Sequence, residues 1–274
     1  MEPQGLRGEA GERIARRFSM HGRRALVTGG TLSIGRAIAR AFADAGAQLA
    51  IHHAAAADGA LAESDASARL ARELDAQGVR HVLIDADFAI PGEATRTVQQ
   101  AIHALGAVDV LVVCASVQQR EAFADISAEH SARQTQINFH ATVELLQAVL
   151  PGMRERRWGR ILTIGSVNQT RPEAELAIYA ALKSAQHNLA INLARQLAPN
   201  GVTVNNLSPG LVATSRNKWR RVDARHWQAI EAAANPMGRA ADPDEMAGAA
   251  LLLCSEAGSF ITGADLQATG GGHL

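Results

Sequence analysis

The stretch RALVTGGTLSIGRAIARAFADAG, residues 24–46, decides the fold of this chain. It begins with a short apolar segment, Arg24–Thr28, and continues through a glycine-rich turn, Gly29–Gly35. A helical segment, Arg36–Ala45, follows and stops at Gly46. A strand, a glycine-rich turn and a helix in this order point backbone N–H groups and the amino terminus of the helix at a phosphate group. The stretch therefore predicts a strand–turn–helix unit with an anion-binding turn.

Strands and helices alternate along the rest of the chain, with glycine or another breaker at most junctions. The further predicted strands are Gln48–His52, His81–Ile84, Asp109–Val113, Arg160–Gly165, Thr203–Leu207 and Asp265–Ala268. The further predicted helices are Ser64–Gln77, Thr95–Leu105, Ser127–Arg157 with a break at Pro151, Ile178–Leu197 and Asp244–Cys254. This alternation predicts an α/β fold, a doubly wound parallel β-sheet with helices on both faces. We expect one domain over residues 22–274, after an N-terminal arm, residues 1–21, that is either flexible or a short helix.

The bulk composition limits the partners and the location of the protein. Lys plus Arg and Asp plus Glu both number 27, so the net charge is zero and provides no field for nucleic acid or an anionic membrane. Cys114 and Cys254 lie far apart without a histidine cluster, which argues against a disulfide scaffold and a metal site. No apolar run is long enough to span a membrane, and the first residues contain no secretory signal. We therefore expect a cytoplasmic protein with no metal, nucleic-acid or membrane partner.

A second stretch, SVNQTRPEAELAIYAALK at residues 166–183, carries the candidate catalytic groups. Ser166 stands thirteen positions before Tyr179, and Lys183 follows the tyrosine by four positions, one turn of a helix. Tyr179 is the only tyrosine in the chain. A nearby ammonium group lowers the pKa of a phenol, and a neighbouring hydroxyl can hold a substrate oxygen. The spacing indicates a proton-transfer pair, although a packed tyrosine beside a solvated lysine would have the same spacing.

The end of the second predicted strand bears on the choice of cofactor. Strand Gln48–His52 is followed by His53 and a run of alanines, and the next acid is Asp58. An acid at the end of this strand holds a ribose 2′-hydroxyl, so its absence favours NADP over NAD. The alternative interpretation of His53 is an exposed histidine without a role.

Further motifs follow in a fixed order along the chain. They are Thr28-Gly29 with Gly35, Asp87, Asn138, Pro209-Gly210 with Thr214, Phe260–Gly263 and Gly270-Gly271. Together with the two stretches above, they resemble the short-chain dehydrogenase/reductase family over about residues 22–273. The resemblance implies a single-domain Rossmann-type fold, an NADP or NAD cofactor, a small-molecule substrate, and assembly as a homotetramer or homodimer.

The resemblance also implies a reaction: reversible hydride transfer between the nicotinamide C4 and a carbonyl or secondary alcohol. Tyr179 is then the general acid in reduction and the base in oxidation. Lys183 lowers the pKa of Tyr179 and binds the nicotinamide ribose. Ser166 polarises the substrate oxygen, and Asn138 supports a water relay to Lys183. The residues expected to contact the cofactor are Gly29, Thr31, Ser33, Ile34, Gly35, His53, Asp87, Ala115, Tyr179, Lys183, Pro209, Gly210, Val212 and Thr214.

Three positions depart from the family's sequence. Ser33 replaces the middle glycine of the turn, where its side chain either crowds the pyrophosphate or bonds to it. Val113–Ser116 replaces the NNAG sequence that ties strands together near the adenine, and Thr269 replaces an acid before the final glycines. These changes leave open a non-catalytic nucleotide-binding or scaffold protein of the same fold. The four-residue spacing of Tyr179 and Lys183, however, is that of carbonyl reductases and alcohol dehydrogenases rather than of the related enoyl reductases.

The segment after the PG motif, about residues 215–237, is expected to form a lid over the substrate pocket. Its basic and tryptophan residues are Arg216, Lys218, Trp219, Arg220, Arg221, Arg225 and Trp227. The cations indicate either an anionic substrate or a solvated helical face. Asn168 and Gln169 either face the pocket, where they suit a sugar or polyol, or lie in a solvated loop. We therefore expect a carbonyl or secondary alcohol substrate, such as a sugar, a polyol or a 3-oxoacyl compound.

Overall fold

The computed structural model of the chain describes residues 9–274, and these form one seven-stranded parallel sheet in the order β3-β2-β1-β4-β5-β6-β7. The strands are β1 (Arg24–Thr28), β2 (Gln48–His53), β3 (His81–Asp85), β4 (Val110–Val113), β5 (Gly159–Ile164), β6 (Val202–Pro209) and β7 (Asp265–Ala268). The helices are α1 (Glu9–Phe18), α2 (Ser33–Asp44), α3 (Ala55–Ala60), α4 (Ala66–Ala76), α5 (Glu93–Leu105), α6 (Ala128–Thr135), α7 (Ala141–Glu155), α8 (Ala177–Leu197), α9 (Ala224–Ala234) and α10 (Ala247–Cys254). The predicted α/β fold is confirmed.

The sheet is buried on both faces, which is why its strands are nearly continuous apolar runs. Successive side chains of a strand point to opposite faces. Leu26 of β1 accordingly lies in one buried cluster with residues of α5, α7 and α8. Its neighbour Val27 lies in a second cluster with residues of α2, α4 and α10. The two clusters form the two halves of the core and hold the helices against both faces of the sheet.

The prediction that Pro151 breaks a helix is wrong, because α7 continues through it to Glu155. Leu145, Leu146 and Val149 before the proline and Met153 after it are all buried. Burial of this face outweighs the cost of a proline inside a helix, about 3 kcal/mol. The segment before α7, Gln136–His140, is a turn of π-helix.

Two helices are absent from the sequence prediction. Helix α3, Ala55–Ala60, follows β2 directly, and α9, Ala224–Ala234, lies in the segment expected to form the lid. Both contain mostly small or polar residues and lack a strong apolar stripe, so their sequences carry little periodic signal. As shown below, α3 brings an acid to the cofactor end of the sheet.

The expected N-terminal arm includes a helix. Glu9–Phe18 form α1, and residues 1–8 of the arm lie outside the described residues. Met20 is completely buried, and its N–H donates to the carbonyl oxygen of Ala45 (2.8 Å). Within residues 9–274, no helix has both the length and the apolar character needed to cross a bilayer. The same residues contain no group of three or more His, Cys, Asp or Glu side chains suited to a metal ion.

The crevice that binds ligands in such sheets lies where the strand order reverses. Here the chain leaves β1 toward β2 on one side, and later returns to place β4 on the other side of β1. Ligands bind outside the carboxyl ends of the strands at such a switch point. The glycine-rich turn after β1 and Ser166 after β5 both lie at this edge of the sheet.

Candidate active site

The four residues expected to form the catalytic tetrad come from three parts of the fold and are all buried. Asn138 lies in the π-helical turn before α7, and Ser166 follows β5. Tyr179 and Lys183 lie one turn apart on α8. The Ser166 hydroxyl lies close enough to Tyr179 to lower the pKa of the phenol. The structure therefore places a phenol, a hydroxyl and an ammonium group together at the carboxyl edge of the sheet.

Ser166 is held by the residue that the sequence left unassigned, Asn168. The Ser166 hydroxyl accepts hydrogen bonds from the backbone N–H of Asn168 (3.1 Å) and from its Nδ2 (3.4 Å). Asn168 Oδ1 in turn accepts from the Glu173 N–H (2.8 Å). Gln169 Nε2 donates to Asp265 (2.6 Å), and its Oε1 accepts the Ser166 N–H (3.5 Å). Of the two amides considered as pocket residues, only Asn168 is bonded to the Ser166 hydroxyl, and Gln169 contacts the backbone of Ser166.

Lys183 is connected to Asn138 by a chain of protein groups. Its ammonium group donates to the carbonyl oxygen of Ile164 (2.6 Å) and to Gln186 Oε1 (3.1 Å). Gln186 Nε2 donates to the Thr142 hydroxyl (2.9 Å). That hydroxyl donates to the carbonyl oxygen of Asn138 (3.1 Å). Two side chains that the sequence did not single out, Gln186 and Thr142, thus connect Lys183 to the backbone of Asn138.

The side chain of Asn138 has a different task. Its Oδ1 accepts from the Val117 N–H and its Nδ2 donates to the Val117 carbonyl oxygen, both at 2.8 Å. These two bonds fix the loop that follows β4. The π-helical turn that carries Asn138 thereby connects the α6–α7 segment to the edge of the site.

The pKa values at the site depart from their ordinary values, mainly because of burial. Burial raises the pKa of Tyr179, and the positive charge of Arg216 is the largest influence that opposes it. Burial also lowers the pKa of Lys183 to about 8 and raises that of the Cys114 thiol to about 11. Tyr179 and Cys114 are therefore neutral near pH 7, and Lys183 is close to its titration point.

Arg216, from the start of the expected lid, reaches into this group. Its Nη2 donates to the carbonyl oxygen of Ser116 (2.6 Å) and lies 3.2 Å from the Ser116 hydroxyl. Its positive charge is also near enough to Tyr179 to oppose the rise of the phenol's pKa. The sequence listed Arg216 among five lid cations but gave no reason to separate it from the others.

The glycine-rich turn has no room for side chains at its centre. A Cβ atom at Gly35 would lie 2.0 Å from the Gly29 carbonyl oxygen, and one at Gly29 would lie 3.0 Å from Ala115 Cα. Ser33, where the family has glycine, has a positive φ of 47°. Its hydroxyl accepts the Ser215 N–H (3.0 Å), so the side chain connects the turn to the lid. Ile34 packs against the core and leaves only its backbone for the groove.

The ring of His52 holds this turn in place. His52 accepts the Gly29 N–H at Nδ1 (3.2 Å), lies 3.0 Å from the Ala86 carbonyl through Nε2, and stacks on Phe88 with centroids 3.9 Å apart. An amide only donates and a carbonyl only accepts, so the ring is neutral with its proton on Nε2. Burial lowers the pKa of His52 to about 4, in agreement with that tautomer. The sequence noted His52 only as a strand end.

Thr28 performs the strand tie that the NNAG sequence would provide. Its hydroxyl donates to the Val112 carbonyl oxygen (3.2 Å) and accepts the N–H groups of Cys114 (2.9 Å) and Ala115 (3.1 Å). Strands β1 and β4 are therefore connected at their carboxyl ends without the family's asparagines. Thr269, in place of the usual acid, is buried and lies 2.7 Å from His273 Nδ1.

An acid does stand at the end of β2, brought back by α3. Asp58 Oδ2 accepts the Thr31 hydroxyl (2.8 Å) and lies 3.7 Å from Nδ1 of His53. That Nδ1 is buried without a hydrogen-bond partner. Burial raises the pKa of Asp58. Thr31 and His53, both expected to contact the cofactor, thus share a pocket with a carboxylate that sequence reasoning placed too far away.

The remaining expected cofactor residues lie along the same edge. Asp87 follows β3 and accepts the Ala89 N–H (2.9 Å). Pro209 ends β6, and Gly210 lies against Thr269, since a Cβ there would be 2.8 Å from Thr269 Cα. Val212 is buried and pairs with Ala241, so its side chain cannot line the groove. Thr214 caps a short 3-10 helix, Ser215–Arg221.

These groups fit a nicotinamide dinucleotide. The crowded glycine turn leaves backbone N–H groups free of side chains, as a pyrophosphate requires. The unpartnered Nδ1 of His53 and the carboxylate of Asp58 provide a donor or acceptor for a ribose. The ammonium group of Lys183 lies near the other end, beside Tyr179.

Known proteins of similar sequence and structure were compared with this chain. Residues 29–273 match the family model described as enoyl-(acyl carrier protein) reductase. An acetoacetyl-CoA reductase from Allochromatium vinosum is 32% identical over 90% of this chain and 97% of that protein. An L-rhamnose 1-dehydrogenase (NAD(P)(+)) from a Sphingomonas species is 31% identical over 93% of this chain and 98% of that protein.

A crystal structure of a 3-oxoacyl (acyl-carrier-protein) reductase from Agrobacterium tumefaciens, with NADP bound, superposes with a TM-score of 0.89. It is 39% identical in sequence, and the match covers 97% of this chain and 100% of that chain. The three proteins differ in the substrates that their names give.

Proposed function

The chain belongs to the short-chain dehydrogenase/reductase family and is an NAD(P)-dependent oxidoreductase acting on CH–OH or carbonyl groups, and we propose that Tyr179 transfers the proton in its reaction. The observation that carries this proposal is that buried Tyr179 lies one helical turn from Lys183, with the ammonium group 5.7 Å from the centre of its ring, and close to the Ser166 hydroxyl. The spacing of Tyr179 and Lys183 supports carbonyl rather than enoyl chemistry.

The proposed reaction divides the work between the cofactor and the protein. The nicotinamide, when bound, supplies the hydride in reduction and accepts it in oxidation. The hydroxyls of Ser166 and Tyr179 bind the substrate oxygen, and Ser166 polarises it. Tyr179 donates its proton to that oxygen in reduction and removes the proton of the alcohol in oxidation. The raised pKa of Tyr179 keeps the phenol protonated at neutral pH, which favours its role as an acid.

Lys183 has a positioning and electrostatic role in this proposal. Its ammonium group is held between Ile164 and Gln186 and lies 5.7 Å from the centre of the Tyr179 ring. From there it can bind the hydroxyls of the nicotinamide ribose. The chain through Gln186 and Thr142 to Asn138 holds the ammonium group in that position.

We propose that the cofactor lies along the carboxyl edge of the sheet. Ser33, Ile34 and Gly35 would face the pyrophosphate through their backbone N–H groups, and Thr31 and His53 would face the adenosine ribose. Gly29, whose N–H is bonded to His52, would allow the close approach of the backbone. Asp87 and Ala115 would line the adenine side. Pro209, Gly210 and Thr214 would cover the nicotinamide, and Val212 would contribute only its backbone. The support for this path is the shared position of these residues and the fit of their groups described above.

The substrate is proposed at the level of its class. The relatives act, by their names, on acetoacetyl-CoA, L-rhamnose and 3-oxoacyl groups. We propose a 3-oxoacyl compound, a sugar or a polyol for this chain. A panel of carbonyl compounds from these classes, tested with NADPH and NADH, would rank them, and a preference for simple apolar ketones would contradict the proposal.

We also propose a homotetramer or homodimer that works in the cytoplasm. Phe260, Phe123 and Met237 expose large apolar side chains, which supports association. The free cysteines Cys114 and Cys254 support a reducing compartment. Light scattering of the purified protein should give a mass above that of one chain, and a monomer at micromolar concentration would contradict the assembly.

The replacement Tyr179→Phe tests the proposed function. It removes the phenolic hydroxyl and keeps the ring, so turnover should fall by about a hundredfold to ten-thousandfold, the range for one general acid–base group. Binding of the cofactor should stay nearly unchanged, because the ring and Lys183 remain. Cofactor absorbance measures turnover with the best compound of the panel. Retained turnover in Tyr179→Phe would overturn the role of Tyr179.

A further inference from the structure

Arg216 differs from the other cations of the lid in its direction. Its guanidinium group crosses from the lid to the loop after β4, with Nη2 donating to Ser116 O (2.6 Å). Its positive charge lies close enough to the phenol of Tyr179 to oppose the rise of that group's pKa. Lys218, Arg221 and Arg225 are exposed at the surface. One lid cation is therefore part of the pocket, while these three belong to a solvated face.

The pocket around Arg216 has cations but no carboxylate. The charged or titratable groups that act on Tyr179 and Lys183 include Arg216 and the neutral thiol of Cys114, with no acid among them. Within residues 9–274, neither Arg216 nor Lys183 forms an ion pair. The glutamates of the nearby loop, Glu173 and Glu175, are both paired with Arg120. Lys183 is buried and Arg216 half-buried, and cations in such positions are unfavourable without an anion, so a ligand with negative charge would be stabilised here.

The guanidinium group of Arg216 has N–H donors beyond those bonded to Ser116. Only Nη2 is bonded to Ser116, through the carbonyl oxygen and the hydroxyl. A guanidinium carries five N–H donors in a planar fork, and this fork matches the two oxygens of a carboxylate. An arginine in this position, next to the hydroxyl that holds the substrate oxygen, can bind a carboxylate close to the reacting carbon.

We propose that Arg216 binds a carboxylate of the substrate beside Tyr179, so that the preferred substrates are oxo acids and the corresponding hydroxy acids. The proposal rests on the proposed function, since it takes Tyr179 as the residue that binds the reacting oxygen. It makes Arg216 a specificity-determining residue. Of the five lid cations that could indicate an anionic substrate, the proposal assigns that role to Arg216 alone.

The cofactor is a second possible source of the negative charge. Ser215, the neighbour of Arg216, is bonded to Ser33 of the glycine turn, where the pyrophosphate is proposed to lie. An arginine that served the cofactor would lower cofactor affinity when replaced. An arginine that served the substrate would change only the discrimination between charged and neutral substrates. These two roles are separated by measuring both affinities in the same variant.

The test uses acetoacetate and methyl acetoacetate, which carry the same ketone and differ in the charge of the carboxyl group. Calorimetric titration of the cofactor-free protein measures their binding without any turnover. The wild-type protein should bind acetoacetate at least about tenfold more tightly than the ester, because a charge-assisted hydrogen bond is lost with the ester. Arg216→Gln should bind both compounds alike, and Arg216→Lys should keep part of the preference. Arg225→Gln, which removes an exposed lid arginine, should behave as wild type.

Two results would overturn the proposal. One is an equal preference for acetoacetate in wild type and Arg216→Gln, in protein that circular dichroism shows to be folded. The other is a loss of NADPH affinity in Arg216→Gln as large as the loss of acetoacetate affinity, which would assign the guanidinium group to the cofactor. Neither result would contradict the proposed function of Tyr179, which is contradicted only if Tyr179→Phe retains turnover. Conversely, loss of that function would leave the acetoacetate preference of the cofactor-free protein unchanged.

Discussion

At the scale of single residues, the charge around Tyr179 differs from what its spacing to Lys183 suggests. The sequence predicts that the ammonium group lowers the pKa of the phenol. In the structure burial raises that pKa, and the first opposing influence is Arg216. The ammonium group of Lys183 is itself buried and bonded to Ile164 and Gln186. Spacing on a helix can be read from a sequence, but burial and the direction of a side chain from another segment cannot.

Ser33 shows how one substitution can be accommodated in a turn that requires glycine elsewhere. Its positive φ is strained for a residue with a Cβ atom, at a cost of roughly 1–2 kcal/mol. The hydroxyl recovers part of this cost through its bond to Ser215 N. The sequence leaves open two alternatives for this side chain, crowding of the pyrophosphate or a bond to it. The structure adds a third, the bond to the backbone N–H of Ser215.

A matched pair of variants separates the strain at Ser33 from its hydrogen bond. Ser33→Ala keeps the strained φ and loses the bond, so it should be less stable than wild type by about 1 kcal/mol. Ser33→Gly loses the same bond but relieves the strain, so it should be more stable than Ser33→Ala by about 1 kcal/mol. Urea unfolding measures both values. If Ser33→Ala is as stable as Ser33→Gly, the positive φ carries no strain.

At the scale of elements, the sequence is most informative about the strands. Strands β1 and β7 have the predicted bounds, and the other five differ by no more than two residues at either end. Strands buried on both faces are apolar throughout, and glycines mark their ends, so local sequence determines them. Helix α7 shows the opposite case, because packing of its buried face overrides the local effect of Pro151.

Helix α3 changes the interpretation of the cofactor end. The sequence shows no acid at the end of β2, and a linear distance of five residues separates His53 from Asp58. One and a half turns of helix are enough to return Asp58 to Thr31 and His53. The sequence did not predict this helix, so it could not predict an acid beside Thr31 and His53.

The replacement Asp58→Asn tests the influence of this acid on cofactor choice. The carboxylate, when ionised, repels a 2′-phosphate, and asparagine can still accept the Thr31 hydroxyl. The ratio of NADPH affinity to NADH affinity should therefore rise, on the order of tenfold. Fluorescence titration with both cofactors measures the ratio. Asp65→Asn removes an exposed acid of the same region and serves as the control. An unchanged ratio in Asp58→Asn would place the 2′ group away from Asp58.

At the scale of the whole molecule, His52 connects the stability of the fold to the shape of the cofactor turn. The neutral ring is held between Gly29, Ala86 and Phe88. Burial lowers its pKa from 6.5 to about 4. Between these two values the unfolded chain binds a proton at His52 and the folded chain does not, so the free energy of unfolding falls as the pH falls.

Replacement of His52 should make the protein less sensitive to acid. From pH 7 to pH 5 the His52 ring should cost the wild-type protein about 2 kcal/mol of stability, given its pKa values of 6.5 unfolded and about 4 folded. His52→Gln has no titrating ring, so it should be less stable than wild type at pH 7 but lose less stability by pH 5. Urea unfolding at the two pH values gives the difference. Equal losses in both proteins would show that His52 is not kept neutral by the fold.

The central proposal for this protein is that a nicotinamide dinucleotide lies along the carboxyl edge of the sheet, with its reactive end beside Tyr179. The most direct test is a fluorescence titration of the purified wild-type protein and of Tyr179→Phe with NADPH and with NADH. We predict saturable binding of at least one cofactor, with a dissociation constant in the micromolar range and similar values for the two proteins. If neither cofactor binds to well-folded protein, then Ser33 and the Val113–Ser116 sequence are not tolerated, and the catalytic role of Tyr179 is contradicted.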